Sequence, residues 1–252
     1  MQDKIGVLDK EVNKPYFSHP GVVESYAAAS QRVGLWESER KVFTRLFKED
    51  DVLLELGTGA GRIAFGLWEL GYRQIMAVDS SKPMIEAARR QNLLADYGVF
   101  FHVADATRLK FEDNGFDGAI FGFNGLMQIP GRANRQRAMH EIHRVVRPGG
   151  WFVFTAHGRD NAKHRKYWRD EEEAWRQGKQ DPRLAEFGDI CYPTPQGPMF
   201  IHCPARDDLL ADLTEVGWRH EADTPRSLLA NESGIVRDFS DECDFWVVQK
   251  PG

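Results

Sequence analysis

The chain has 252 residues, 42% of them apolar and 28% charged, a balance that supports one sizeable core and excludes a disordered polar chain. Lys and Arg number 33 against 38 Asp and Glu, so no net positive field draws the molecule to nucleic acid or anionic membrane, and a small or neutral partner is favoured. Residues 1–30 hold no apolar leader, and no later run approaches the roughly 20 apolar residues of a membrane span, which places the expected location in the cytosol.

In chain order, residues 1–46 read as a helical cap. Its stretch Ser25–Leu46 is amphipathic and offers Val33, Leu35, Trp36, Val42, Phe43 and Leu46 for packing. From Val52 to Thr155 short apolar runs alternate with helical periods, the signature of β-α-β units and a doubly wound α/β domain. Strands are expected at Val52–Leu56, Ile75–Val78, Phe100–Ala104, Gly118–Phe121 and Trp151–Thr155. Helices are expected at Gly61–Leu70, Lys82–Leu94 and Arg132–Val146, the last ended by Arg147-Pro148-Gly149-Gly150 because Pro and Gly stop a helix and turn the chain. These elements form a core at 47–157.

An insertion at 158–205 breaks the rhythm with a charged helix over Arg159–Gln177. It continues with Ile190–Tyr192 and Met199–Cys203 flanking a Pro-rich turn, as a hairpin would. Residues 206–252 complete the core with a helix at Asp207–Val216 and strands near Trp218–Ala222 and Asp244–Gln249. The whole is expected to be a single domain. Cap and insertion, rich in aromatic residues, are the expected lids over the carboxyl rim of the sheet.

Three chemical signals end consecutive strands. Glu55-Leu56-Gly57-Thr58-Gly59-Ala60-Gly61 joins a strand to a helix, where glycines let backbone approach a ligand closely. A dinucleotide fingerprint needs Gly at position 62, which is Arg62, so a nicotinamide cofactor is disfavoured. Asp79 ends the second strand, where an ionised carboxylate can accept both hydroxyls of a ribose. Ser80 or Ser81 is then the expected cap of the next helix. Asp105, beside Ala106 at the end of the third strand, can accept an exocyclic amine. In open α/β sheets ligands bind at this carboxyl edge.

With these residues in register, the chain resembles the class I S-adenosylmethionine (SAM) dependent methyltransferases, in the group that acts largely on small molecules. ELGTGAGR (55–62), AVDSSKPMIEAAR (77–89), VADATRL (103–109) and EIHRVVRPGGWFVFT (141–155) carry the likeness. It implies a Rossmann-like seven-stranded sheet in the order 3-2-1-4-5-7-6, its last strand antiparallel. It implies SAM as cofactor, with Gly57, Thr58, Gly59 and Gly61 at the methionine part and Glu55 on the amine. Asp79 and Ser80 would then serve the ribose, Met84, Asp105 and Ala106 the adenine, and Phe123 with Asn124 the region of the methyl group. Arg32 is a candidate for the carboxylate. The tetrapeptide Asn-Pro-Pro-Tyr of many amino-methylating enzymes is replaced by Phe121-Gly122-Phe123-Asn124, and no Pro-Cys pair suited to cytosine attack occurs.

Methyl transfer from a sulfonium needs alignment more than acid or base. His157, after the fifth strand, is the candidate general base; Tyr192 and His202 on the expected hairpin are candidates for the acceptor pocket. His140 and His143 lack the spacing of a zinc motif, and Cys191, Cys203 and Cys243 lie far apart without a C-x-x-C pair, so neither metal nor disulfide is expected. Arg159–Arg169 is basic, but the acids at 170–173 follow it and suit pairs such as Lys166 with Asp170 and Arg169 with Glu173 on a solvated helix. The expected function is methyl transfer to an O, N or C atom of a small molecule by in-line displacement. The alternatives are an RNA or protein methyltransferase and a non-catalytic SAM-binding regulator.

Overall fold

The computed structural model describes residues 8, 9 and 11–252; of the expected cap, residues 1–7 and 10 lie outside the described residues. The cap comprises α1 (Lys14–Ser18), α2 (Pro20–Arg32) and α3 (Glu37–Leu46), so it begins earlier than the periodicity predicts. Then follow β1 (Val52–Leu56), α4 (Arg62–Glu69), β2 (Gln74–Asp79), α5 (Lys82–Leu94), β3 (Phe100–Val103) and β4 (Phe116–Phe121). A short 3-10 turn (Gly125–Gln128) leads to α6 (Arg132–Val145) and β5 (Val146–Ala156). Beyond β5 come α7 (Arg165–Arg176), the hairpin β6 (Asp189–Thr194) and β7 (Gly197–His202), α8 (Arg206–Val216), β8 (Arg219–Pro225), α9 (Arg226–Leu229), α10 (Gly234–Phe239) and β9 (Asp244–Gln249).

The main sheet runs β3-β2-β1-β4-β5-β9-β8. The first five strands are parallel, and β9 lies antiparallel to both β5 and β8. This is the order implied by the resemblance, with the hairpin set apart as a two-stranded sheet. Alternation along the strands sends side chains to opposite faces. Leu54, Leu56, Ala119, Phe121, Phe152 and Phe154 pack with α6 and α8 residues such as Met139, Ile142 and Leu213. On the other face Leu53, Ile75, Ala77, Ile120 and Val153 pack with Phe43, Ile63, Leu67 and Ile85 of α3, α4 and α5. Each large side chain so buried contributes about 1.5–3 kcal/mol, and this two-sided core fixes the strand ends that carry the site.

Three expectations change. Arg147–Gly150 is no free turn: Val146 pairs with Phe116 and Trp151 with Gly118, so these residues bulge within β5, stapled by Gly149 N–H to Lys250 O at 2.8 Å. The charged helix begins at Arg165, after a 3-10 turn at Ala162–His164. Helices α9 and α10 follow β8, where the sequence offers no long apolar period to announce them. Among the described residues no helix is long and apolar enough to cross a membrane.

Candidate functional site

A cavity of about 770 Å³ opens at the carboxyl rim, lined among others by Glu55, Gly57, Thr58, Gly59, Asp79, Ser80, Met84, Asp105, Ala106 and Phe123. The strand ends thus bring together most of the residues singled out in the sequence. Gly57 and Gly59 adopt left-handed φ of 62° and 55°, which only glycine takes without strain. A Cβ at Gly57 would come within 2.6 Å of the Phe121 ring, whereas one at Gly59 would meet only Tyr26, at 3.5 Å. Gly61 does not line the cavity. It caps α4 with φ 94°, where a Cβ would strike Phe65 at 2.8 Å, so its role is to start the helix.

The carboxyl groups differ in their surroundings. Glu55 is 2% exposed and accepts the Thr58 hydroxyl at 2.8 Å. Burial pushes its pKa up to about 8, against the Thr58 bond and the Arg62 charge, which marks a buried acid short of positive charge. Asp79 accepts the N–H groups of Gly59 and Ser81, each at 2.8 Å, so it shapes the glycine turn while facing the cavity; burial raises its pKa too. Ser81, not Ser80, caps α5 by accepting Met84 N–H at 3.4 Å. Asp105 accepts Thr107 N–H at 2.8 Å and its hydroxyl at 2.7 Å.

The roof is aromatic. Phe17 and Tyr26 from the cap, Phe123 after β4 and Phe239 of α10 all line the cavity. Tyr26 meets Phe17, Phe123 and Phe239 edge-on at centroid distances of 5.9, 6.1 and 6.4 Å, and Phe239 stacks on Phe123 at 5.0 Å. Burial lifts the Tyr26 phenol far above its ordinary pKa, so it stays a neutral donor. Beside it Arg62, held by the buried Glu39 at 2.6 Å and lying over Trp36 at 4.6 Å, also lines the cavity. Sequence reading missed Phe239 and the Glu39–Arg62 pair. A glutamate 23 positions before an arginine gives no local signal.

The insertion, the second expected lid, does not reach the cavity. Among the described residues, none of 158–205 lines the cavity. The hairpin instead braces the cap. Asn13, buried, accepts Phe200 N–H at 2.6 Å and donates to Phe200 O and Gln128 O, each at 3.0 Å. Tyr192 is exposed and lies off the cavity lining. His202 is buried, with Nδ1 2.9 Å from Asp189 Oδ1, and faces a separate pocket of about 220 Å³. Ligand atoms of Glu186, Asp189 and His202 lie within 4.8 Å of one another, but Glu186 is already held by the buried Arg135 at 2.6 Å. Arg32, expected near the site, is exposed at the end of α2 and does not line the cavity.

His157 is not a free base. Its Nδ1 lies 2.8 Å from Glu242 O, and a carbonyl only accepts, so Nδ1 carries the proton and Nε2 accepts from Asn124 Nδ2 at 2.9 Å. Burial lowers its pKa. Asn124 is 4% exposed; it does not itself line the cavity, though Phe123 and Gly125 on either side do. His143 packs edge-on against Trp218 at 4.9 Å. On α7 the pairs expected from Lys166 and Arg169 give way to Arg176 with Glu172 at 3.6 Å and Glu173 at 2.8 Å, the favoured order of acid before base. Cys191, Cys203 and Cys243 are free thiols.

Residues 54–154 match the family model of a methyltransferase domain. A demethylmenaquinone methyltransferase of Symbiobacterium thermophilum is 29% identical over 142 residues, covering 52% of this chain and 54% of that protein. One from Thermus thermophilus is 34% identical over 117 residues, covering 45% and 50%. The chain therefore spans about half the length of these curated relatives. Among solved structures, a SAM-dependent methyltransferase of Methanosarcina mazei superposes with a TM-score of 0.65 at 21% identity, over 83% of this chain and 97% of that one. The cyclase SpnF does so with 0.67 at 18% identity, over 99% of each. These two likenesses show the fold.

Proposed function

We propose that the chain is a class I SAM-dependent methyltransferase, as the methyltransferase-domain match over residues 54–154 and the curated relatives support, and that it moves a methyl group from SAM to a C, O or N atom of a ring-bearing small molecule. The observation that carries the reading is the convergence of the glycine turn, Glu55, Asp79, Met84 and Asp105 on one cavity. The fit is chemical as well as positional. Glu55 is buried without enough positive charge, and the α-ammonium of SAM would supply it. Asp79 would take the ribose, and Met84, Asp105 and Ala106 the adenine. Bound there, SAM supplies a methyl group already activated as a sulfonium for in-line displacement.

The protein's own part is to position and to exclude water. Phe17, Tyr26, Phe123 and Phe239 present an apolar surface suited to a planar acceptor, and positioning of this kind can supply several kcal/mol, up to ~7–11, of barrier reduction. Relatives named demethylmenaquinone methyltransferases are among those found, and an aromatic roof suits carbon methylation of a quinol-type ring. With both His157 nitrogens engaged, the reading assigns no general base to it. The test is a SAM-dependent mass gain of 14 Da, roughly one added CH₂, on reduced quinones and then on a wider metabolite set. The SpnF likeness motivates a second reading, a SAM-binding protein with other chemistry, which isomerised but unmethylated product would favour.

A further inference from the structure

Asn124 holds an unusual combination of constraints. Its backbone is left-handed, with φ 59°, and its N–H donates to Thr155 Oγ1 at 2.8 Å. Its Nδ2 donates to His157 Nε2 at 2.9 Å, yet its Oδ1 is buried without a hydrogen-bond partner among the described residues. An orphaned buried carbonyl is costly, and turning the carboxamide while Nε2 is an acceptor would set Oδ1 against it. The cause lies in His157. Because Glu242 O takes the proton on Nδ1, Nε2 is left as an acceptor, the NH₂ of Asn124 must face it, and Oδ1 must point away. Phe123 and Gly125, the chain neighbours of Asn124, line the cavity.

We infer that His157 is a positioning residue that sets the orientation of the buried Asn124 carboxamide between two cavity-lining residues: Nδ2 toward the ring while the imidazole is neutral, Oδ1 toward it once the imidazole is protonated. The switch follows from hydrogen-bond bookkeeping. An imidazolium still donates from Nδ1 to Glu242 O, but its new Nε2–H faces the NH₂ of Asn124, donor against donor. Half a turn of the carboxamide brings Oδ1 onto Nε2–H and swings the NH₂ to where Oδ1 was.

The groups around the ring set where this happens. Asp241 favours the imidazolium, while burial, His164 and Arg226 oppose it. Asp241 is itself paired with Lys163 at 3.2 Å, and the Glu242 carboxylate accepts Ser227 N–H at 2.8 Å and lies 3.8 Å from Arg226. The neutral state, with Nδ2 toward the ring, therefore holds at neutral pH.

Nitrogen-15 NMR of the full-length protein tests this directly. At neutral pH His157 should be the Nδ1–H tautomer and show a scalar coupling from its Nε2 to Asn124 Nδ2 across the hydrogen bond. On acidification the coupling should vanish at a midpoint below the ordinary 6.5, and the Asn124 carboxamide signals should move with the same midpoint. His157→Gln keeps an acceptor that does not titrate, so Asn124 should hold its neutral-pH signals throughout the titration. An Nε2–H tautomer at neutral pH, or a carboxamide that keeps its orientation while His157 titrates, would overturn the inference in the unmutated protein alone. Calorimetry with S-adenosylhomocysteine separates the two readings. No binding to the unmutated protein would sink the cofactor assignment and leave the lock standing, whereas binding without the coupling would sink the lock alone.

Discussion

The floor and the roof of the cavity rest on different physics. The floor is backbone and carboxylate, held at the ends of β1, β2 and β3 by a sheet buried on both faces, and it meets a ligand through charge and hydrogen bonds. The roof is a set of rings drawn from α1, α2, the β4 exit and α10, joined by edge contacts and stacking. A floor of this kind should govern affinity for SAM, and such a roof should govern what happens to the methyl group by removing water and holding the acceptor.

The sharpest break between the two comes from Gly57→Val. Its Cβ would meet Phe121 at 2.6 Å from a left-handed backbone. Strain and overpacking should together cost about 3 kcal/mol or more in S-adenosylhomocysteine affinity, on the order of a hundredfold by calorimetry. Gly59→Ala has room and should lose only about 1 kcal/mol to strain. Near-equal losses in the two variants would mean that the turn is not a rigid cradle.

Asp79→Ala should lower the affinity by about 1.5–3 kcal/mol, the range for a hydrogen bond to a charged group. It should also lower Tm, since Gly59 N–H and Ser81 N–H lose their acceptor. A fall in Tm with affinity unchanged would make Asp79 purely a fold residue.

Glu55 sharpens the floor by pH. Its folded pKa of about 8 stands above the ordinary 4.5, so the folded state binds the extra proton. The stabilisation is fully present below 4.5 and is lost as pH rises toward 8. Affinity for S-adenosylhomocysteine, whose ammonium prefers the ionised acid, should rise over the same window. Denaturation midpoints and calorimetry across pH should show these opposite trends, and Glu55→Gln should flatten both. Parallel trends would remove the ammonium from Glu55.

The smallest effect on binding belongs to the roof. Phe239→Ala loses a stacked partner and an edge contact, about 1 kcal/mol of stability. It should leave S-adenosylhomocysteine affinity within about threefold, a span worth under 1 kcal/mol, while slowing methyl transfer more. A larger loss of affinity than of turnover would erase the distinction between roof and floor.

The same contrast explains what the sequence discloses. β1 matches its expected span residue for residue, and β2 and β4 appear where apolar runs end at Asp79 and Gly122, because burial of these inner strands on both faces leaves a period that can be read locally. The floor is legible for the same reason: its residues sit at fixed offsets from strand ends. The roof depends on contacts such as Phe123 with Phe239, 116 positions apart by subtraction, and on the brace from Asn13 to Phe200, separated by 187. No local pattern encodes either. His202 faces away from the cavity because its buried partner Asp189 holds it, and Arg32 ends α2 in solvent. His157 lies beside Asn124, but only the Glu242 carbonyl reveals that its proton is committed.

The most direct test of the central claim, that the rim cavity is a SAM site, is calorimetric titration of the purified protein with SAM, S-adenosylhomocysteine and NAD. Saturable one-to-one binding of the first two, weakened by Asp79→Ala, with no heat from NAD, is the predicted result. Binding of NAD with silence from SAM and S-adenosylhomocysteine would contradict it.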